Sequence, residues 1–140
     1  MRRLPATPIL LAGVVLLTGC SSSSNSTAPA PTSSSPAPEA VTTSAAAVQT
    51  GLNKIVGLAA SIKGQIGVGS RAKSLDAGIE PIWATIEGTV KKNDSDSYLA
   101  LEDAFAVLQD AVKAGDASQA AAGDDAVSKA VTAYLARFPA

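Results

Sequence analysis

From residue 41 onward, apolar side chains recur at spacings of three and four, the period of helices that each bury one face. Val48, Leu52, Ile55, Ala59, Ile62 and Ile66 mark a first stripe, and Leu75, Ile79, Ile82, Ile86 and Val90 a second. Tyr98, Leu101, Phe105, Leu108 and Val112 mark a third, and Val127, Val131, Tyr134 and Phe138 a fourth. Asp94 or Ser95 can cap the third helix, Gly115 can end it in a left-handed turn, and Asp116 with Gln119 resembles a capping box opening the fourth. Pro139 stops the last helix. The short connections at Asn93 to Asp96 and Ala114 to Asp116 make those neighbours antiparallel, so the expected fold is all-α, an up-and-down bundle of four helices.

Two places strain this pattern. Gly51 and Gly57 each cost up to about 1 kcal/mol relative to Ala, which predicts a first helix that is short, frayed or dependent on its neighbours. Pro81 lacks an amide hydrogen and disfavours helical geometry at Glu80, so the second helix is kinked there or restarts with Pro81 in its first turn, and Gly78 eases the break. All five aromatic residues lie from Trp83 onward, which predicts a firm core from the second to fourth helices with the first closing over it.

Upstream the composition changes abruptly. From Ser21 to Ala40 the chain is almost all Ser, Thr, Pro and Ala, and Glu39 is its only charge. Pro29, Pro31, Pro36 and Pro38 remove backbone donors, and no apolar face is available to offset the entropy of ordering, so a disordered tether is expected here. As a random coil it would reach on the order of 25 Å, and about twice that when extended. Asn25-Ser26-Thr27 spells an N-glycosylation sequon, and the Ser/Thr run could carry O-linked sugar.

Before the tether, Arg2 and Arg3 give a positive start, Ile9 to Leu17 a short apolar run, and Leu17-Thr18-Gly19-Cys20 follows at once. The segment resembles the signal peptide and lipobox of bacterial lipoproteins, whose pattern of an aliphatic residue, two small residues and cysteine it matches at all four positions. The resemblance implies that the Cys20 thiol takes a diacylglycerol, that residues 1–19 are cut away, and that the new amino group accepts a further chain such as palmitate. A membrane-spanning helix would need roughly 20 apolar residues, and this run stops well short of that. One chain anchors marginally at about 0.8 kcal/mol per buried methylene, whereas two or three hold durably. The implied organisation is a removed leader at 1–19, a lipidated tether at 20–40 and a helical domain at 41–140, on the extracytoplasmic face of the cell membrane.

Composition closes several function classes. Histidine is absent, which removes the commonest general base and the commonest nitrogen ligand for transition metals. Cys20 is the only cysteine, so neither an intrachain disulfide nor a thiolate metal site can form. Eleven basic residues less Arg2 and Arg3 leave nine against twelve acidic ones, a mildly acidic balance with no basic stripe for nucleic acid. Gly64-Gln65-Ile66-Gly67-Val68-Gly69-Ser70-Arg71 has the glycines of a phosphate loop but not its lysine, so no nucleotide is expected. Ser70-Arg71-Ala72-Lys73 spells the S-x-x-K of penicillin-binding proteins without their S-D-N or K-T-G companions. No enzyme activity is expected, and no cofactor beyond the covalent lipid.

One acidic arrangement stands apart. Asp76, Glu80 and Glu87, with Trp83 among them, fall along one helical stripe, and Asp103 and Asp110 form a pair seven apart on the next helix. Facing carboxylates of this kind can hold a hard cation such as calcium or iron, while a solvated flank paired with Lys73, Lys91 and Lys113 is the plainer reading. Trp83 reads as core or as a recognition surface.

Ile79-Glu80-Pro81-Ile82-Trp83 through Ile86-Glu87-Gly88-Thr89-Val90-Lys91, then Asn93-Asp94, Tyr98 through Phe105, and Ala133 through Pro139 resemble small uncharacterised actinobacterial lipoproteins. They are similar too to helical extracytoplasmic segments of bacterial iron-uptake proteins, although the His-x-x-Glu signature of the imelysin type is absent. Anchor, tether and helical domain together lead to the expectation of a non-enzymatic module that binds an envelope protein, and the carboxylates to the alternative of a cation-handling accessory.

Overall fold

The structure, a computed structural model, describes residues 42–140; the leader, Cys20 with its lipobox, the sequon and the tether lie outside them. Five helical segments follow in order: α1 (Ala45–Gln65), α2 (Gly69–Asp76), α3 (Ile79–Asn93), α4 (Ser95–Ala114) and α5 (Ala117–Arg137). Together they make a four-limbed, all-α, up-and-down bundle in which α2 and α3 are the two halves of the broken second limb. Each limb packs on the limbs next to it in sequence, and α1 closes the ring against α5. No helix among the described residues is long and apolar enough to cross a membrane.

The predicted stripes are the buried faces. Leu52, Ile55, Ile62, Ile86, Leu101, Leu108 and Val127 are fully enclosed, and Ala72, Ala104, Ala111 and Ala120 fill the close approaches between helices. The second limb restarts with Pro81 in its first turn, the second of the two expected forms: the break falls at Ala77 and Gly78, and Pro81 is the third residue of α3. There its missing N–H costs nothing, because the first turn of a helix has no carbonyl to receive it.

The first helix departs from expectation. It runs for 21 residues rather than being short, and it touches every other limb, so it leans on its neighbours as one expected alternative had it but is an integral wall of the core rather than a cover over it. Gly51 admits α3: a Cβ there would lie 2.9 Å from Ile86 Cδ1. Ser44 caps its start, accepting a hydrogen bond from the Ala47 amide at 3.2 Å. Just before the cap, the Thr43 amide donates to Thr89 Oγ1 at 2.7 Å and the Thr89 hydroxyl returns a bond to the Thr43 carbonyl at 3.4 Å, clipping the incoming chain to α3.

The turns follow local chemistry. Gly115 ends α4 at φ 68°, a left-handed conformation in which a side chain would be strained. Asp116 then opens α5 by accepting from the Ser118 and Gln119 amides. At the other end of α5, Arg137 donates to Asp94 Oδ2 at 2.6 Å and Asn93 donates to the Tyr134 hydroxyl at 2.9 Å, which ties the C-terminus to the α3–α4 corner. Hydrogen bonding from Ser97, with the nearby Arg137 charge, holds the Asp94 carboxyl below its ordinary value. The gain from ionised Asp94 is therefore present above the ordinary carboxylate pKa and is lost as the pH falls through the lowered one.

Candidate functional site

The break at Ala77 and Gly78 leaves a cleft between the second and third limbs. Asp76 stands at the end of α2, Ile79 and Glu80 in the first turn of α3, and Glu102, Phe105 and Gln109 face them from α4. The cavity they enclose is about 120 Å³. Ordinary small-molecule sites run to about 300–1,000 Å³, so this one suits water or a small ion.

Burial raises the Asp76 carboxyl above its ordinary value, and the charge of Lys113 opposes the shift. Glu102 is held by Trp83, whose indole N–H donates to Glu102 Oε1 at 2.6 Å. The negative charge of Glu102, together with burial and with Glu87 and Glu80, pushes the Tyr98 hydroxyl up. Lys91 sits over the Tyr98 ring, 4.9 Å from its centroid, and supplies positive charge at that end.

Of the five carboxylates singled out in the sequence, the structure brings Asp76 and Glu80 into one cavity. Glu87 lies two turns along α3 from Glu80, past Trp83. Asp103 borders a different groove, between α4 and α5, together with Lys129, and Asp110 is exposed and pairs with Lys113 at 3.1 Å. No group of three or more acidic side chains among the described residues is arranged to hold a metal ion.

Glu102 was missed by one position. Asp103 and Asp110 are seven apart, but so are Glu102 and Gln109, and it is the latter pair that faces the second limb. The signal lay in Ala104 and Ala111: alanines at buried positions mark the side of α4 on which a neighbour approaches closely, which places residues 102 and 109 on the other flank.

A second charged pair also escaped the sequence reading. Asp124 is 5% exposed inside α5 and bonds to Lys63 from α1. It occupies a seam position in the series Ala120, Asp124, Val127, Val131, where its charge was the legible anomaly. Hydrogen bonding and attraction from Asp124 raise the Lys63 ammonium above its ordinary value. That contribution is fully present at neutral pH and is lost only as the pH rises through the raised value.

The Asp76 shift gives a pH-dependent prediction. A carboxyl whose folded pKa is raised destabilises the fold while it is ionised, and the penalty vanishes below its unfolded value of about 3.9. Asp76→Asn should therefore raise the melting temperature at pH 7, with the difference from wild type shrinking towards zero near pH 3. A variant that melts lower than wild type at pH 7 would show that ionised Asp76 makes a net stabilising contact.

No family model, curated protein or solved structure matches the chain.

Proposed function

We propose that the protein is an exported lipoprotein, held on the extracytoplasmic face of the cell membrane by lipid on Cys20, whose bundle is a non-enzymatic module for binding an envelope protein. The observation that carries this reading is Leu17-Thr18-Gly19-Cys20 placed directly after a short apolar run and directly before a Ser/Pro-rich stretch. Residues 1–19 are then the removed leader and residues 20–40 the tether. Diacylglycerol and a further acyl chain such as palmitate are the covalent lipids, and no other cofactor is invoked.

Support for binding over catalysis comes from four of the bundle's acids, which are committed to contacts and caps. Glu102 accepts from Trp83, Asp124 from Lys63, Asp94 from Ser97 and Arg137, and Asp116 caps α5. A general acid or base needs a proton it is free to exchange with a substrate, and these groups are engaged in holding helices together.

Replacing Cys20 by serine is the direct test. Wild type from the native membrane should carry the added mass of its acyl chains, begin at residue 20 and partition into detergent. Cys20→Ser should retain its leader and lose both acyl mass and detergent partitioning; unchanged mass, processing and partitioning would end the lipoprotein reading. Crosslinking from the native membrane should then recover a discrete envelope protein, and alanine substitution across the exposed faces should reduce that recovery. If every such variant retained all associations, the binding role would be abandoned.

Asp76 and Glu80, which line one cavity, leave a second reading, an accessory that handles calcium or iron through carboxylate oxygens. Titration calorimetry with calcium, ferrous and ferric iron decides it. Saturable heat abolished by Glu80→Gln supports the reading; no saturable heat with an unchanged melting temperature removes it.

A further inference from the structure

An open groove of about 460 Å³ runs along the outside of the bundle between α4 and α5. Its lining is small and apolar: Ala100, Ala104 and Val107 from α4, and Ala126, Ala130 and Ala133 from α5. Ala100 and Ala104 stand about one helical turn apart, as do Ala126 and Ala130, and such spacing lets another helix approach the face closely. Two charges flank the lining, Asp103 on the α4 side and Lys129 on the α5 side. Both are exposed, and neither is in an ion pair among the described residues. Leu99, next to Ala100, is 57% exposed and is one of two large apolar side chains left in solvent among the described residues. An apolar strip with charge at its rim is the usual make-up of a protein contact surface.

The charges are placed symmetrically about the turn that joins the helices. Because α4 and α5 are antiparallel, residues equally far from Gly115 and Asp116 stand at the same height. Asp103 is twelve residues before Gly115 and Lys129 thirteen after Asp116, so the two stand level on opposite sides of the groove. By the same count Leu99 is level with Ala133. A surface with opposite charges at one height on its two sides is complementary to itself. A two-fold axis along the helices lays α4 of one copy on α5 of the other, and each Asp103 then meets the other copy's Lys129. Leu99 meets the other copy's Ala133 in the same arrangement. An axis across the helices would lay α4 on α4 and α5 on α5, leaving Asp103 and Lys129 apart.

We infer that the α4–α5 face binds a second copy of the chain in a two-fold dimer, closed at both rims by reciprocal Asp103–Lys129 pairs and at its centre by the alanines and Leu99. This goes beyond the binding of an envelope protein and does not depend on lipid attachment, so its failure would leave those readings standing.

Charge exchange between chains tests it. The full chain carries Cys20→Ser throughout, so that no acyl chain contributes to association. Its mass in solution is followed by analytical ultracentrifugation at concentrations up to about 1 mM, enough to register even millimolar affinity. This parent chain should reach twice the monomer mass. Asp103→Lys and Lys129→Asp should each raise the dissociation constant about ten-fold or more, because the dimer exchanges two attractive pairs for two repulsive ones. Mixing the two variants should restore association close to that of the parent, since an Asp103→Lys chain then faces a Lys129→Asp chain with opposite charges at both rims. A variant that had merely lost its fold could not be rescued in this way. A parent that stays monomeric at every concentration, association that neither single variant weakens, or a mixture no tighter than its components would overturn the proposal.

Discussion

Trp83→Ala should destabilise the bundle by about 3–5 kcal/mol, a large share of the 5–15 kcal/mol typical of a whole domain. Trp83 is 1% exposed and joins two limbs through three different contacts. Its ring stacks on Tyr98 at a centroid distance of 5.8 Å, meets Phe105 edge-on at 5.3 Å, and its N–H is bound to Glu102. Alanine would leave a cavity between α3 and α4 and strip Glu102 of its donor. Urea denaturation followed by far-ultraviolet circular dichroism gives the loss directly. Trp83→Phe separates the terms, since it retains an aromatic ring and removes only the donor and part of the volume, and it should cost clearly less than alanine. A loss below about 1 kcal/mol for Trp83→Ala would show that the core does not close around this side chain as described.

Gly123→Ala should also destabilise, although in an exposed helical interior the same change is favourable by up to about 1 kcal/mol. The added Cβ would lie 2.8 Å from both Cγ and Cδ2 of the fully buried Leu108 and 3.2 Å from the Leu108 backbone nitrogen. Relief requires α4 and α5 to move apart or Leu108 to leave its rotamer, at a cost of about 1–3 kcal/mol. Gly57→Ala is the matched control. Its Cβ meets nothing within 4 Å, so it should stabilise by about 0.5–1 kcal/mol. Opposite signs at these two glycines, read as shifts in denaturation midpoint, check the α4–α5 packing; a stabilising Gly123→Ala would refute it.

These two glycines show where sequence legibility ends. Periodicity identifies buried faces because it is a property of one helix at a time, and every stripe from Val48 to Phe138 lies at or against the core. Which helix approaches another most closely is a property of pairs. Gly51 therefore read as a weakness in α1 when it is a point of entry for Ile86, and the wealth of aromatics after Trp83 drew attention away from an aliphatic first helix that completes the core. Pro81 announced a break that lies three residues earlier, at Gly78, so that Pro81 itself sits in the first turn of α3.

The candidate site was partly legible for the same reason. Asp76 and Glu80 could be placed together because they share a limb, but their partner on α4 depended on how that helix is rotated. A rotation of one position exchanges Glu102 for Asp103, and only the small residues at Ala104 and Ala111 record it. The Lys63–Asp124 pair was harder still, since its two ends are sixty-one residues apart and neither charge has a local signature of the other.

The threonine clip has a mechanical consequence. Tension on the chain upstream of Thr42 enters the fold at Thr43, where α1 is bonded to the antiparallel α3, so the load is divided between two elements before either can unwind. Peeling α1 from its end would require breaking that joint and then drawing Val48 and Leu52 from the interior in turn. A bundle clipped in this way resists being unzipped from the start of its first helix.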